Sequence, residues 1–514
     1  MVTTETIITG QVSTGLNRLG WYNAASLALL AGGLQPLALA PFNLWPLAIL
    51  GLAVFALLMF KVSARRAMLV AGCFGAGLYG VGISWIYVAI HEFGNASALL
   101  AASLTALFVL FMALVFALPF VVCRSLLGHG RLGVLLGFPA CYLLGEWLRS
   151  WLLTGFPWLY VGYGHLESPL AGWAPLLGVL GVGYIAVFSA ATLASWAFFV
   201  RPSGNLWMAS VSVVAFWLVG WALADVHWTR INHDHPVSVA MVQPNVPQEV
   251  KWDPAQAEPT LDRLMALSEP HWNADWLIWP EAAVPLTYHN ALDFLNELTR
   301  QASRSQTGVI TGIIYDDHAQ RKFYNSLAGF GDALGIYHKR RLVPFGEYVP
   351  LEDWLRGTIE FFDLPTSYIH PGPDEQSGLQ VGDVSIAPTI CYEVVYPSLV
   401  ANSAHHRNVL LTVSNDAWFA DSIGPLQHLQ MARMRALETG RYLLRSTNNG
   451  VSAIIGPKGQ VLGRTEQFVS ATLTGRVYPA YGDTPFMRWG SLPVVALGFA
   501  LLLGLLAARR KYQY

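Results

Sequence analysis

Apolar residues run in long, uninterrupted stretches through positions 24–224 and return near the C-terminus. Crossing a hydrocarbon core takes about 20 mostly apolar residues. Segments of that kind lie at 24–40, 42–60, 67–90, 98–123, 132–148, 172–199, 205–224 and 491–508. Any one of them alone also reads as a helix buried in a soluble core, 132–148 above all. Seven in succession, without a charged interruption, do not, and they predict a polytopic α-helical membrane bundle of about eight spans. The first two are parted only by Pro41, Phe42 and Asn43 and predict a tight hairpin. Residues 1–22 are polar and lack the basic patch, apolar run and small-residue cleavage site of a secretory signal. The first apolar segment is therefore expected to remain as an anchor.

Between positions 225 and 490 the pattern changes, and short apolar runs alternate with polar, Pro- and His-containing stretches. Positions 237–242, 276–279, 308–314, 384–390 and 408–413 read as buried strands from their β-branched content and flanking breakers. Positions 291–303 and 427–443 have helical spacing; in the second, Leu429, Ala432, Met434 and Leu437 mark one side and Arg433, Arg435 and Arg441 the other. Strands alternating with helices predict a layered α/β domain, long enough to bury a sizeable core. The expected organisation is a bundle at 1–224 with spans one to seven, a soluble domain at 225–490, and a last span with a short basic tail at 491–514.

Composition sharpens the membrane reading. Only 12% of residues are charged and 54% are hydrophobic, against about 25% charged in soluble domains. A net charge of -1 provides no basic face, so no nucleic-acid partner is expected. Lys and Arg in short loops set orientation. Lys61, Arg65, Arg66, Arg124, Arg131, Arg201, Arg509, Arg510 and Lys511 all fall on one side of an eight-span chain. The alternate loops near 41–43 and 91–97 carry none, and 149–171 has only Arg149 at its edge. That side is cytoplasmic and holds both termini, which puts the 225–490 domain on the extracytoplasmic face of the membrane. Within this domain no G-x-G-x-x-G or Walker-type loop opens a helix, so no nucleotide cofactor is expected.

Cysteine usage points to chemistry. Cys73, Cys123 and Cys141 lie in or beside spans, whereas Cys391 is the only cysteine of the exported domain. An oxidising compartment leaves a lone thiol exposed to oxidation. It is either a small buried hydrophobe or a working nucleophile. Its place favours the second reading: it ends a strand and is followed at once by Tyr392 and Glu393.

A thiol nucleophile needs a base and a group to hold an oxyanion. Glu281 follows an apolar strand in Trp279-Pro-Glu; pressed against that indole, its carboxyl is expected to have a raised pKa suited to a general base. Lys339 stands in Tyr337-His-Lys-Arg-Arg-Leu-Val-Pro-Phe-Gly-Glu347. Alone, Glu281 reads first as a surface carboxylate at a strand end. Lys339 alone reads first as part of a solvated basic cluster with Arg340 and Arg341.

Together, Trp-Pro-Glu at 279–281, Tyr-His-Lys with Pro-Phe-Gly-Glu at 337–347, and Ile-Cys-Tyr-Glu at 390–393 resemble the nitrilase superfamily. With the apolar spans, the chain resembles its membrane-bound members, the apolipoprotein N-acyltransferase family, over nearly its whole length. Further matching blocks are Ser-Trp-Ile-Tyr-Val at 84–88, Thr-Gly-Phe-Pro-Trp at 154–158, Ser-Asn-Asp-Ala-Trp-Phe at 414–419 and Arg-Ser-Thr-Asn-Asn-Gly at 445–450. Ala420 stands where the family pattern has Gly. The resemblance implies a nitrilase-type αββα sandwich and an acyl transfer from a phospholipid donor to the α-amino group of a diacylated apolipoprotein. It implies Cys391 as nucleophile, Glu281 as general base and Lys339 as oxyanion stabiliser, with a backbone amide near Tyr392 as second donor. Glu347 and Glu393 are implied as supporting residues, and neither cofactor nor metal is expected.

Lipid substrates require a route from the bilayer. Trp354, Phe361 and Phe362 lie in an aromatic loop segment that reads as a lid dipping into the outer leaflet or as a small satellite core. Trp252 and Trp158 are further entrance candidates, or belt aromatics. A membrane-anchored amidase or nitrilase-type hydrolase would share the triad but would not need the spans. A transporter is disfavoured because the spans hold almost no charge, Glu146 excepted. A non-catalytic scaffold leaves the lone thiol unexplained.

Overall fold

The computed structural model describes residues 20–127, 130–199, 203–350, 352–355 and 368–511. The chain divides into two compact units, one of residues 1–84, 102–226 and 489–514, the other of 85–101 and 227–488.

Each predicted apolar segment contains helix, but the helices differ in length. Among the described residues, four helices are long and apolar enough to cross a membrane: Ala98–Arg124, Pro169–Ala197, Gly204–Leu223 and Leu492–Arg509. Elsewhere Pro and Gly shorten the helices. Segment 24–40 becomes a helix at Trp21–Leu34 closed by a 3-10 turn that contains Pro36. Segment 42–60 forms Trp45–Lys61, of 17 residues, and segment 67–90 is divided between Ala64–Gly82 and Trp85–Glu92. Segment 132–148 opens with a π-helical turn at Gly133–Gly137 before Phe138–Arg149. Gly32 lets the helices Trp21–Leu34 and Ala64–Gly82 approach backbone to backbone: a Cβ there would lie 2.8 Å from the Phe74 carbonyl carbon. Glu146 is buried rather than exposed at a helix end; its Oε1 accepts the Val161 N–H at 2.9 Å and lies 3.8 Å from Arg149.

The second unit is a four-layer sandwich. Its strands are β1 (Val237–Gln243), β2 (Trp276–Ile278), β3 (Gly308–Asp317), β4 (Lys322–Gly331), β5 (Ala333–Leu334), β6 (Ile336–His338), β7 (Leu379–Val381), β8 (Val384–Ile390), β9 (Val409–Ser414), β10 (Leu443–Thr447), β11 (Ala453–Ile455), β12 (Val461–Arg464) and β13 (Ala471–Val477). One sheet has the order β13-β1-β2-β3-β4-β6, the other β12-β11-β10-β9-β8-β7-β5. The centre of each is parallel: β1-β2-β3 in the first, β8-β9-β10 in the second. Alternation along the strands builds two layers of core. Val239, Met241 and Ile278 meet Ile386, Leu411 and Leu444 between the sheets. Ala240, Val242, Leu277 and Trp279 face the helices Ala257–Ser268 and Leu292–Ser305 through Leu264, Leu295 and Leu298. Helices Pro397–Ala404 and Gly424–Thr439 pack against β8 and β10. The sequence-based strands at 237–242, 276–279, 308–314, 384–390 and 408–413 correspond to β1, β2, β3, β8 and β9.

One sequence expectation is corrected here. The helix read at 427–443 ends at Thr439, because Gly440 takes the left-handed conformation (φ 60°) and the chain enters β10 three residues later. Of the arginines on its second side, Arg435 is fully buried, ion-paired to Glu438 at 2.8 Å, and Arg441, beyond the helix end, is buried against Asp483 and Met487.

The turn Asp416–Phe419 is backed by Trp85, edge-on to Phe419 at 4.7 Å, and by Phe93, 5.8 Å from Trp418. Ala420 closes this turn at φ 42°, ψ -145°, a region essentially reserved for glycine that costs an alanine about 1–3 kcal/mol. Part of that is offset by the entropy glycine brings to the unfolded chain. Ala420→Gly is therefore expected to stabilise the protein by about 1 kcal/mol, seen as a later thermal unfolding midpoint. An unchanged or earlier midpoint would show that the turn holds no strain.

Candidate active site

Strand ends from both sheets converge on one cluster. Glu281 follows β2, Lys339 directly follows β6, Cys391 directly follows β8, and Asn415 follows β9. Gly312 of β3 allows the Glu281 segment to lie close: a Cβ there would collide with Pro280 and Ala282 and lie 2.7 Å from the Cα of Glu281. Ala282 (φ 45°), Phe345 (φ 64°) and Cys391 (φ 51°) all take left-handed backbone conformations, a clustering of strain common at functional sites.

The Glu281 carboxylate is buried and fully engaged. Oε1 accepts from Asn325 Nδ2 at 2.8 Å and from Lys339 Nζ at 3.3 Å, while Oε2 accepts the Asn415 N–H at 2.7 Å. Lys339 also donates to Glu347 at 2.8 Å, and Glu347 accepts from Asn325 at 3.0 Å and from the Val343 N–H at 2.9 Å. One buried ammonium therefore stands between two carboxylates that Asn325 bridges from the other side. Burial alone raises the Glu281 carboxyl, but Lys339, Lys251 and the Asn325 and Asn415 donors outweigh it and hold the pKa below the usual carboxylate range. This corrects the expected upward shift. The Trp279 indole points instead into the helix-covered core, where Nε1 donates to Ser268 Oγ at 3.0 Å. Lys339 loses stability as a cation through burial, yet Glu347 and Glu281 more than restore it and raise its pKa.

Cys391 is partly buried at the head of a short 3-10 turn, Cys391–Val395. Burial and the nearby Glu281 charge push the thiol pKa up, and Lys339 only partly offsets them. At rest the pair is thus an ionised carboxylate beside a protonated thiol. Glu393 ties the turn to the Lys339 strand end. Its carboxylate accepts the Ile390 N–H at 2.8 Å, the Arg340 N–H at 2.7 Å and the Tyr337 hydroxyl at 2.9 Å. Tyr392 is buried, edge-on to Tyr396 at 5.3 Å.

Several functional neighbours escaped the sequence reading. Lys251 is 4% exposed and donates to the Glu281 carbonyl at 3.1 Å. Burial lowers its pKa to about 8, with Glu281 and Cys391 pulling it back up. The available signal was a lysine placed between Val250 and Trp252. His428 holds the Cys391 carbonyl at 3.1 Å through Nε2; a carbonyl only accepts, so Nε2 carries the proton. Its Nδ1 lies 3.2 Å from Arg445 Nη2 and 3.3 Å from Asp416 Oδ1, and Arg445 pairs with Asp416 at 2.6 Å.

The entrance candidates are dispersed. Trp252 is half-buried next to Lys251, and Trp354 is 82% exposed on the short helix Glu352–Leu355. Phe361 and Phe362 lie outside the described residues. Trp158 is fully buried in the helical unit, stacked on Phe156, with its carbonyl accepting from Arg149 at 3.1 Å. It presents no open surface for an entering chain.

Comparison with known proteins gives two matched regions. Residues 31–192 match the family described as "Apolipoprotein N-acyltransferase N-terminal domain", and residues 238–483 match "Carbon-nitrogen hydrolase". Proteins called "Apolipoprotein N-acyltransferase" are similar over nearly the full length. That of Pseudomonas putida is 46% identical over 502 residues, covering 96% of this chain and 99% of that one. That of Coxiella burnetii is 39% identical over 480 residues, covering 93% and 98%. Among solved structures, Saccharomyces cerevisiae Nit3, a member of branch 10 of the nitrilase superfamily, aligns at 16% identity with a TM-score of 0.36, covering 49% of this chain and 92% of its own. A carbon-nitrogen hydrolase from Helicobacter pylori G27 aligns at 16% identity and TM-score 0.36, covering 51% and 96%.

Proposed function

The chain belongs to the apolipoprotein N-acyltransferase family and N-acylates lipoproteins, and on that premise we propose that the acyl group travels on Cys391 as a thioester. The observation that carries the mechanism is the buried Glu281–Lys339 pair, 3.3 Å apart, at the strand end beside the thiol. In the first half-reaction Cys391 Sγ bonds to the phospholipid ester carbonyl while Glu281 takes the thiol proton. Lys339 holds the oxyanion. Collapse breaks the ester C–O bond, and the departing alcohol oxygen takes the proton from Glu281. In the second, the α-amino group of the diacylglyceryl-cysteine attacks the thioester and gives a proton to Glu281. The C–S bond breaks, the sulfur regains that proton, and an amide is left. Because Glu281 is ionised and the thiol protonated at rest, proton transfer accompanies attack rather than preceding it.

Glu347 orients Lys339, Glu393 with Tyr392 shapes the cysteine turn, and exposed Trp354 is a contact for the acyl chain. We place the catalytic domain on the extracytoplasmic side of an eight-span chain with both termini cytoplasmic, a topology supported by the Lys and Arg distribution in the short loops.

Lys251 is the second cation of the site in this reading. Its pKa of about 8 sets the sign of a pH effect: the ammonium persists below that value and is lost above it. kcat/KM is expected to decline above about pH 8, and Lys251→Arg should move that decline up by at least about one unit, since a guanidinium keeps its charge. A decline that stays in place in the variant would remove Lys251 from the mechanism.

The function is tested with phospholipid labelled in its acyl chain and a diacylated lipopeptide bearing a free N-terminal amine. Label is expected in an amide on the lipopeptide, with little free fatty acid when the acceptor is omitted. Rapid release of free fatty acid without acceptor would instead support an amidase or nitrilase-type hydrolase.

A further inference from the structure

Away from this site, His289, Asp316 and His318 bring two imidazoles and a carboxylate to one place on the domain surface, with ligand atoms all within 4.8 Å of one another. His289 Nδ1 lies 2.9 Å from Asp316 Oδ1, and His318 Nε2 lies 3.0 Å from Asp316 Oδ2. Only a proton or a metal ion can bridge such facing lone pairs. A tetrahedral zinc ion with bonds of about 2.0–2.1 Å requires ligand atoms roughly 3.3 Å apart; the two rings meet different oxygens of Asp316, so with one ligand atom from each residue, all within 4.8 Å of one another, one ring has to shift toward the shared oxygen. We propose that His289, Asp316 and His318 form a three-ligand site for a divalent transition-metal cation of the zinc class, with its fourth position open to water.

The surroundings fit a ligand set. The Asp316 carboxylate is held by the His289 N–H at 3.0 Å and the Thr287 hydroxyl at 2.9 Å, the kind of outer contact that orients a metal ligand. Burial raises its pKa, but these donors and the two rings outweigh it and keep the carboxyl ionised well below the usual range. Exposure rises from 8% at Asp316 to 36% at His289 and 71% at His318, leaving an entry path on the His318 side. Two nitrogens and one carboxylate suit zinc, copper or nickel, whereas calcium and magnesium prefer oxygen alone. The site was invisible in the sequence because its ligands come from separate elements. His289 belongs to the turn that follows Glu281, while Asp316 and His318 close the hairpin whose second strand carries Asn325. A cation here ties together the two segments that frame the Glu281 carboxylate.

The test uses full-length protein in detergent, freed of any affinity tag, stripped with chelator and returned to chelator-free buffer. Titration with Co(II), whose visible absorption reports four-coordinate ligation, is expected to saturate at one equivalent per chain, with no response to Ca(II). His318→Ala, on an exposed turn, and His289→Ala should each weaken binding at least about tenfold while circular dichroism stays unchanged. No uptake of Co(II), or wild-type affinity in either variant, overturns the proposal.

Discussion

Replacing Glu281 by Gln should slow acyl transfer by about a thousandfold, within the range a positioned general base contributes, without unfolding the domain. The amide keeps the side chain's volume. Its oxygen can still accept from Asn325, Lys339 or the Asn415 N–H, the three donors that now hold the carboxylate. It cannot take a proton from Cys391. Because the proposed base serves both half-reactions, single-turnover formation of the thioester and its transfer to the amine should slow together. A variant that forms the thioester at more than a tenth of the wild-type rate would exclude Glu281 as the base.

Lys339→Met is expected to reduce activity by about a thousandfold or more, since removing a single oxyanion donor in a preorganised site already costs roughly 10²–10³. Here the loss is compounded. Lys339 is the ammonium between Glu281 and Glu347, 3.3 and 2.8 Å away. Without it, two buried carboxylates face each other across Asn325, and one of them must take up a proton. Breaking a buried pair in this way costs about 3–5 kcal/mol of stability, so the thermal midpoint should fall as well. The two effects separate in Lys339→Met combined with Glu347→Gln. The second change removes the uncompensated charge and should restore much of the midpoint, but it supplies no oxyanion donor. Recovery of activity in the double variant would make Lys339 a structural residue.

Much of this architecture was legible because it is written in local patterns. The runs at 237–242 and 408–413 alternate in β1 and β9 as a strand between two cores must, and Cys391 and Lys339 stand directly behind strands. What escaped depends on partners far along the chain. Strand β4 carries the buried polar residues Asn325 and Ser326, so its pattern does not read as core, although Asn325 bridges Glu281 and Glu347. Arg435, Arg441 and Arg445 look like surface charges until Glu438, Asp483 and Asp416 are brought beside them. The direction of the Glu281 shift failed for the same reason. The apolar neighbours Trp279 and Pro280 are adjacent in sequence, whereas Lys339 and Asn415, 58 and 134 positions away, decide its charge.

The thioester is tested most directly by mass spectrometry of purified protein incubated with phospholipid of a single acyl chain, in the absence of any amine acceptor. The mechanism predicts that the peptide containing Cys391 gains the mass of that acyl group, loses it when diacylated lipopeptide is added, and never gains it in Cys391→Ser. Enzyme that transfers acyl chains to the lipopeptide while its Cys391 peptide stays unmodified throughout would contradict it.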